Sequence, residues 1–479
     1  MTVNLLMALM PILMLSLTAV VLMVQASIKR DQLVAWFITA LGLLLTLWGA
    51  GYARDFTQPV TALLIVDDWG LFFTTLIVTA ALITLILSRD TFSTEGERKE
   101  EFYLLLVLSV LGAVVLIQSS HMVSLLLGME LMGVALYAMI AFPEKGQLSL
   151  EAAIKYLVLS ACASAMLLYG FALLYATTGD LSYGGIGLKA ILAYQQNPLI
   201  LMSGTAMVLA GIGFKLSVVP FHMWTPDVYE GAPTPVTGFL ATISKGAVFV
   251  ALTRFFVEGQ LYEYQSLMTA LAAVAIASML IGNWLALRQE NIKRLLAYSS
   301  IAHFGYLLVV LIALSHEGAE AGLIREAITF YLAAYILTTL AAFAVVACIA
   351  GEDESKNQIA AFDGLFWRRR IQASSLTVAM LSFAGIPLTA GFVGKFYVIS
   401  VGIQSQLWWL LAALVIGSAI AIYYYLRIIF TMTKSAGTAA SGQFRASTAS
   451  QDVLAMLLLI MVLLLGSWPQ PFIEFAGRL

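Results

Sequence analysis

The stretch GFKLSVVPFHMWTPDVYEGAPTP, residues 213–235, follows an apolar run that begins near Pro198. It places a lysine, a proline and a histidine where an uninterrupted hydrophobic helix would otherwise continue. Pro220 removes a backbone donor and disrupts an i to i−4 bond, which frees carbonyls close to Lys215. Irregular backbone persists at membrane depth only where protein buries it or where it lines a hydrated cavity. Lys215, Pro220 and His222 therefore predict a discontinuous helix that opens onto a polar interior.

The rest of the chain makes membrane depth the right frame. Of 479 residues, 61% are hydrophobic and 11% charged, and the mean hydropathy is +0.93. So few charges do not cover the surface of a water-soluble protein this large. A net charge of -2 argues against nucleic acid or a polybasic patch as the basis of function. Cys162 and Cys348 lie far apart in apolar runs and form neither a CxxC nor a Cys/His cluster, so no iron–sulfur, zinc or disulfide framework is readable. The N-terminus lacks a basic region and a small-residue cleavage site, and reads as a first spanning helix.

A helix needs about 20 apolar residues to cross the hydrocarbon core. Runs of that size predict an all-α polytopic membrane protein with about fourteen spans: 3–24, 33–52, 71–88, 102–118, 121–142, 150–176, 198–219, 236–257, 265–286, 294–314, 326–350, 373–401, 407–432 and 453–473. YGGIGLKAILAYQQN (183–197) and NQIAAFDGLFWRRR (357–370) read as amphipathic helices on the membrane surface, and residues 433–452 as a flexible small-residue linker. Odd-numbered loops hold fifteen Lys and Arg, among them Arg98, Lys145 and Arg445; even-numbered loops and the C-terminus hold only Arg54, Lys189, Arg325 and Arg478. The bias predicts cytoplasmic odd loops and both termini on the opposite face.

Six basic residues remain inside spans: Lys155, Lys215, Lys245, Lys395, Arg254 and Arg427. The two arginines lie near span ends, where long side chains reach water. Lys245 and Glu130 sit about mid-span, beyond that rescue. A charged residue there costs roughly 2.5–3.5 kcal/mol on insertion scales, so Glu130, Lys215, Lys245 and Lys395 together cost on the order of 10 kcal/mol. These four must face the bundle interior, paired or hydrated. The reading pairs Glu130 with an ammonium, Lys215 first among them. Desolvated lysines that repel one another give up and regain protons readily, which is the chemistry of a relay. His222 and His303 extend it, because imidazole exchanges protons at either nitrogen near neutral pH. Tyr298, Ser299, Ser300 and Tyr306 are the hydrogen-bonding neighbours expected for His303, while His121 and His316 stand at a span edge and in a loop.

SFAGIPLTAGFVGKFYVIS, residues 382–400, repeats the theme: Pro387 and three glycines precede Lys395. An interrupted helix in each half is the mark of paired repeats, although only AGI (210–212 and 384–386) recurs as sequence. The division is 1–100 for three N-terminal helices, 101–258 and 259–432 for two inverted five-helix repeats, and 433–479 for the linker and last helix.

GMELMG (128–133), the 214–236 stretch and NIKRLLAYSSIAHFGYLL (291–308) closely resemble the antiporter-like membrane subunits of respiratory complex I, the proton-translocating NADH:quinone oxidoreductase. Large subunits of multisubunit cation/proton antiporters are relatives. Length and Lys395 resemble the subunit N branch, whose mitochondrial counterpart is subunit 2; subunit M generally carries glutamate at that twelfth-helix position. The resemblance implies discontinuous helices 7 and 12 and termini on the periplasmic face of a bacterial inner membrane. It makes Glu130 the fifth-helix glutamate, Lys215 the seventh-helix lysine, Lys245 the central eighth-helix group and Lys395 the exit group, with Lys155 and His222 bridging. It implies no cofactor in this chain: NADH, FMN, iron–sulfur clusters and quinone belong to partner subunits. The implied neighbours are subunit M and the small membrane subunits on the quinone-proximal side. A cation/proton antiporter subunit would use the same buried charges with different partners, and a structural spacer would need none of them.

Overall fold

The computed structural model describes residues 3–91, 99–143, 146–316, 321–350, 354–434 and 448–479. Arg98, Lys145, Arg445 and most of the 433–452 stretch lie outside the described residues. Among the described residues, thirteen helices are long and apolar enough to cross a membrane. In chain order the spanning elements start with α1 (Met10–Ile28), α2 (Gln32–Ala53), α3 (Asp68–Thr91), α4 (Lys99–Ile117) and α5 (Met122–Ile140). Next come α6 (Gln147–Thr178), α7 (Pro198–Leu216), α8 (Thr234–Glu258), α9 (Gln265–Leu287), α10 (Ile292–Ala313) and α11 (Ala321–Ala350). In place of one twelfth span over 373–401 there are two shorter helices, α12 (Arg370–Ala384) and α13 (Ala390–Gln404), followed by α14 (Trp408–Thr433) and α15 (Ala449–Ser467).

Local chemistry sets these ends. Asp31 accepts from the Leu33 and Val34 amides to start α2, and Asn291 from Lys293 and Arg294 to start α10. His121 does the same for α5 through Nδ1, and Gly179 closes α6 in the left-handed conformation at φ 65°. The 183–197 stretch is helical over Tyr183–Gln196, as predicted. The 357–370 stretch is not one amphipathic helix. It breaks into short turns at Ile359–Phe362 and Leu365–Arg368, because Asp363-Gly364 interposes a left-handed glycine (φ 68°).

The chain forms two compact units. The first holds Met1–Leu85, Phe92–Leu216 and Ile243–Leu267. In it α1 packs on α2 and α4, α4 on α5, and α6 on α7. The α4–α5 contact is backbone-close: a Cβ on Gly112 would stand 2.5 Å from the Met132 nitrogen, so only glycine permits it. A short antiparallel pair, β1 (Gln58–Pro59) and β2 (Ile65–Val66), joins α2 to α3. Residues that α1 and α2 turn outward, such as Leu17, Met23, Phe37 and Leu41, are apolar and exposed, a surface made for hydrocarbon rather than water.

The second unit holds Ile86–Thr91, Ser217–Thr242 and Met268–Leu479. Its centre is α10 and α11, which are buried over almost their whole length. Helix α11 packs on α12, α13 and α15, and α10 on α13 and on the short helix Trp224–Gly231. A helix apolar on all sides is one enclosed by others.

Candidate functional site

Helix α7 ends at Leu216, four residues before Pro220. Ser217 turns left-handed at φ 63° and the Val219–Pro220 peptide is cis; helix resumes only at Trp224. Lys215 thus lies in the last turn of α7, where unpaired carbonyls and the negative end of the helix dipole favour a cation. Its side chain is 1% exposed. Nζ donates to Ser160 Oγ at 2.8 Å and stands 5.1 Å above the Tyr156 ring and 5.8 Å from that of Tyr137.

Glu130 acts on Lys215 electrostatically, as expected, but the two make no direct ion-pair contact among the described residues. Half-buried Glu130 instead accepts a short hydrogen bond from Ser164. Ser160 and Ser164 are one helical turn apart on α6 and face the same way. The acid and the base therefore hold neighbouring serines of one helix rather than each other. Each serine hydroxyl is both donor and acceptor, and that of Ser160 also bonds Tyr137. The sequence reading missed both serines, although their four-residue spacing on the helix after Glu130 was visible.

Lys395 repeats the arrangement in the second unit. Gly385, at φ 81°, ends α12, and Lys395 Nζ from α13 donates to the carbonyl of Ala384 at 3.1 Å. That carbonyl belongs to the last residue of α12 and lacks a helical partner because the helix stops. The ammonium also sits 5.4 Å from the Tyr306 ring. A Cβ on Gly385 would come within 2.8 Å of Lys395 Cδ, so glycine serves both the turn and the lysine. Each break thus creates a carbonyl-rich helix end with a buried lysine beside it, one within the last turn of α7 and one bonded to the last carbonyl of α12.

Lys245 is fully buried in the first unit. It directly follows a π-helical turn over Leu240–Ser244 in the middle of α8, a form of helix that gathers at functional positions. No sequence signal announces that turn. His222 is buried in the second unit, and its Nδ1 has no hydrogen-bond partner among the described residues, as is true of Ser217 Oγ and Thr225 Oγ1 nearby in sequence.

His303, 5% exposed, is held by tyrosines from other helices. Nδ1 pairs with Tyr331 Oη of α11 at 2.7 Å, and Nε2 with Tyr425 Oη of α14 at 3.5 Å. The neighbours expected from sequence serve elsewhere. Ser299 bonds Tyr425, Ser300 bonds Tyr335 at 2.7 Å, and Tyr306 accepts from Asn283 at 2.9 Å; the Tyr306 ring does pack on the imidazole, as do those of Tyr331, Tyr335 and Phe383. A cavity of about 10 Å3 lies among His303, Tyr331, Tyr335, Thr338 and Ser382, about the space of one water.

Lys155 is 41% exposed and pairs with Glu151 at 2.7 Å on the outer face of α6; the structure does not bring it to Lys215. Arg254 does not reach for water as expected. It is buried and forks onto Asp67, with Nη1 to Oδ2 at 2.9 Å and Nε to the Ile117 carbonyl at 2.8 Å, because the start of α3 offers it a carboxylate inside the protein. Among the described residues no three His, Cys, Asp or Glu gather as a metal site.

Residues 119–421 match the family described as NADH:quinone oxidoreductase/Mrp antiporter, transmembrane. The chain belongs to that family. A chain of respiratory complex I from Thermus thermophilus, solved with bound aureothin, is 32% identical, covers 97% of this chain and 99% of its own length, and gives a TM-score of 0.83. A chain of the membrane-bound sulfane sulfur reductase, an archaeal respiratory membrane complex, is 24% identical over 98% of this chain and 96% of its own, with a TM-score of 0.84. One from the Mrp complex of Dietzia sp. is 18% identical over 100% and 97%, also at 0.84. These last two share the fold. The broken helices are the seventh and the twelfth, five spans apart.

Proposed function

We propose that this chain is a proton-translocating membrane-arm subunit of an NADH:quinone oxidoreductase, of the subunit N kind. One observation carries the reading: in a chain of this family, a buried lysine stands at each of the two helix breaks, Lys215 in the last turn of α7 and Lys395 against the last carbonyl of α12. Such a lysine is charged at a cost and is poised between holding and releasing a proton. The relay is Glu130, Lys215, Lys245, His303 and Lys395, with His222 at the seventh-helix break and Lys155 as a group exchanging with Glu151 near the surface. Redox chemistry lies in partner chains that carry NADH, FMN, iron–sulfur clusters and quinone. Subunit M and small membrane subunits are its neighbours. The basic loops face the cytoplasm and the termini the periplasm of a bacterial inner membrane.

The serine bridge supplies the coupling. A conformational or charge change arriving at Glu130 moves Ser164, then its turn-neighbour Ser160, and so alters the hold on Lys215. A hydrogen bond to a charged group contributes about 1.5–3 kcal/mol. Moving one charge against 100 mV takes about 2.3 kcal/mol. Making and breaking one such contact is therefore of the right size to drive one proton.

The test is to tag the chain, extract membranes in mild detergent and assay the purified assembly for NADH:quinone reductase activity. Activity in a many-subunit assembly supports the reading. An assembly without dehydrogenase partners that exchanges sodium for protons overturns it and makes the chain an antiporter subunit.

A further inference from the structure

Away from the relay, a cavity of about 500 Å3 opens between the C-terminal turns of α14, the turn at 358–363 and Glu290. Arg427 of α14 and Lys434, just past its end, line it together with Glu290 and Asp363. The cations are held loosely. Lys434 Nζ is 3.5 Å from Asp363 Oδ1 with both side chains substantially exposed, and Arg427 Nη1 reaches the Gln289 carbonyl at 3.4 Å. Along the same helix Tyr423 (67% exposed), one turn before Arg427, and Phe430 (65% exposed), between the two cations, turn outward. Beside them Trp367 is exposed and donates through Nε1 to the Thr433 carbonyl at 3.3 Å. Exposed Trp and Tyr next to basic residues mark headgroup depth in a membrane protein.

We infer that this pocket binds the headgroup of phosphatidylethanolamine, a phospholipid carrying one phosphate and one primary ammonium. Both signs of charge are present, and they are on different elements. Arg427 and Lys434 take the phosphate oxygens, with the guanidinium able to do so through two donors. Glu290 and Asp363 accept from the ammonium, which a quaternary headgroup could not supply. The acyl chains follow the apolar face of α14 past Phe430 and Tyr423 into the hydrocarbon. A purely anionic lipid would meet two carboxylates in the same pocket. The volume lies within the range of ordinary small-molecule sites.

The test is native mass spectrometry of the full assembly in mild detergent, with wild-type chain, Arg427→Gln and Glu290→Gln. After delipidation it is exposed to vesicles of phosphatidylethanolamine, to vesicles of phosphatidylglycerol or to inorganic phosphate. Wild type is expected to regain phosphatidylethanolamine about tenfold more strongly than either variant. Equal retention by Arg427→Gln overturns the site, and equal retention of phosphatidylglycerol overturns the ammonium half. Displacement of the lipid by inorganic phosphate would identify a site for the free ion. Should the variants fail to assemble, a photoreactive phosphatidylethanolamine on wild type decides: labelling within 423–434 is expected, and labelling confined elsewhere contradicts the site.

Discussion

Ser160→Ala removes the hydroxyl 2.8 Å from Lys215 Nζ and touches neither charged group. The remaining neighbours of that ammonium include the Tyr156 and Tyr137 rings at 5.1 and 5.8 Å. Ring faces attract a cation by about 0.5–2 kcal/mol, but they are present before and after the change and do not replace a hydroxyl in a proton chain. A buried hydrogen bond to a charged group contributes about 1.5–3 kcal/mol. At tenfold per about 1.36 kcal/mol, transfer through Lys215 should slow by roughly 10- to 150-fold. The assay is proton uptake into inverted membrane vesicles, normalised to quinone reduction and to the amount of assembled subunit. Ser164→Ala, which strips Glu130 of its serine, should act on the same step. The double variant should then be little worse than either single one, since groups acting in series are not additive. Normal pumping by assembled Ser160→Ala, or fully additive losses, would refute the serine bridge.

Tyr331→Phe leaves His303 Nδ1 without its 2.7 Å partner and should lower thermal stability of the subunit by about 1–3 kcal/mol, read as a fall in unfolding temperature in detergent. Arg254→Met leaves the Asp67 carboxylate facing an apolar replacement for its guanidinium; a loss of about 3 kcal/mol should appear as depleted assembled protein in membranes, and unchanged yield would contradict a stabilising pair. Burial lowers the pKa of His121 below its ordinary 6.5, and its Nδ1 accepts from the Val123 amide at 3.1 Å. Because the folded state disfavours the proton, this cap is intact above pH 6.5 and is lost as pH falls through the lower folded value. Hydrogen-exchange protection at Val123 should fall on acidification, and constant protection would sink the assignment.

Span count and the buried lysines were legible because twenty-residue apolar runs and charges within them are rare and costly. Both helix breaks were legible as well, since Pro220 and Pro387 with clustered glycines have few other uses. Partnerships were not. Which hydroxyl meets Lys215 depends on how α6 rotates against α7; the four-residue spacing of Ser160 and Ser164 puts them on one face but does not say which way that face turns. His303 shows the same limit: its sequence neighbours Ser299 and Ser300 turn to Tyr425 and Tyr335, while Tyr331 and Tyr425 arrive from helices 28 and 122 residues away. The misreading of 357–370 had a local cause, because an Asp-Gly pair inside an amphipathic pattern overrides its period. The fate of Arg254 required knowing that Asp67 meets it from 187 residues away.

The central claim is that Lys215 carries the transported proton while the redox reaction runs elsewhere. Lys215→Ala in a fully assembled complex, with proton uptake and NADH oxidation recorded on the same vesicles, tests it most directly. The account predicts intact assembly with proton uptake per NADH sharply reduced. Wild-type uptake per NADH from assembled Lys215→Ala would contradict it.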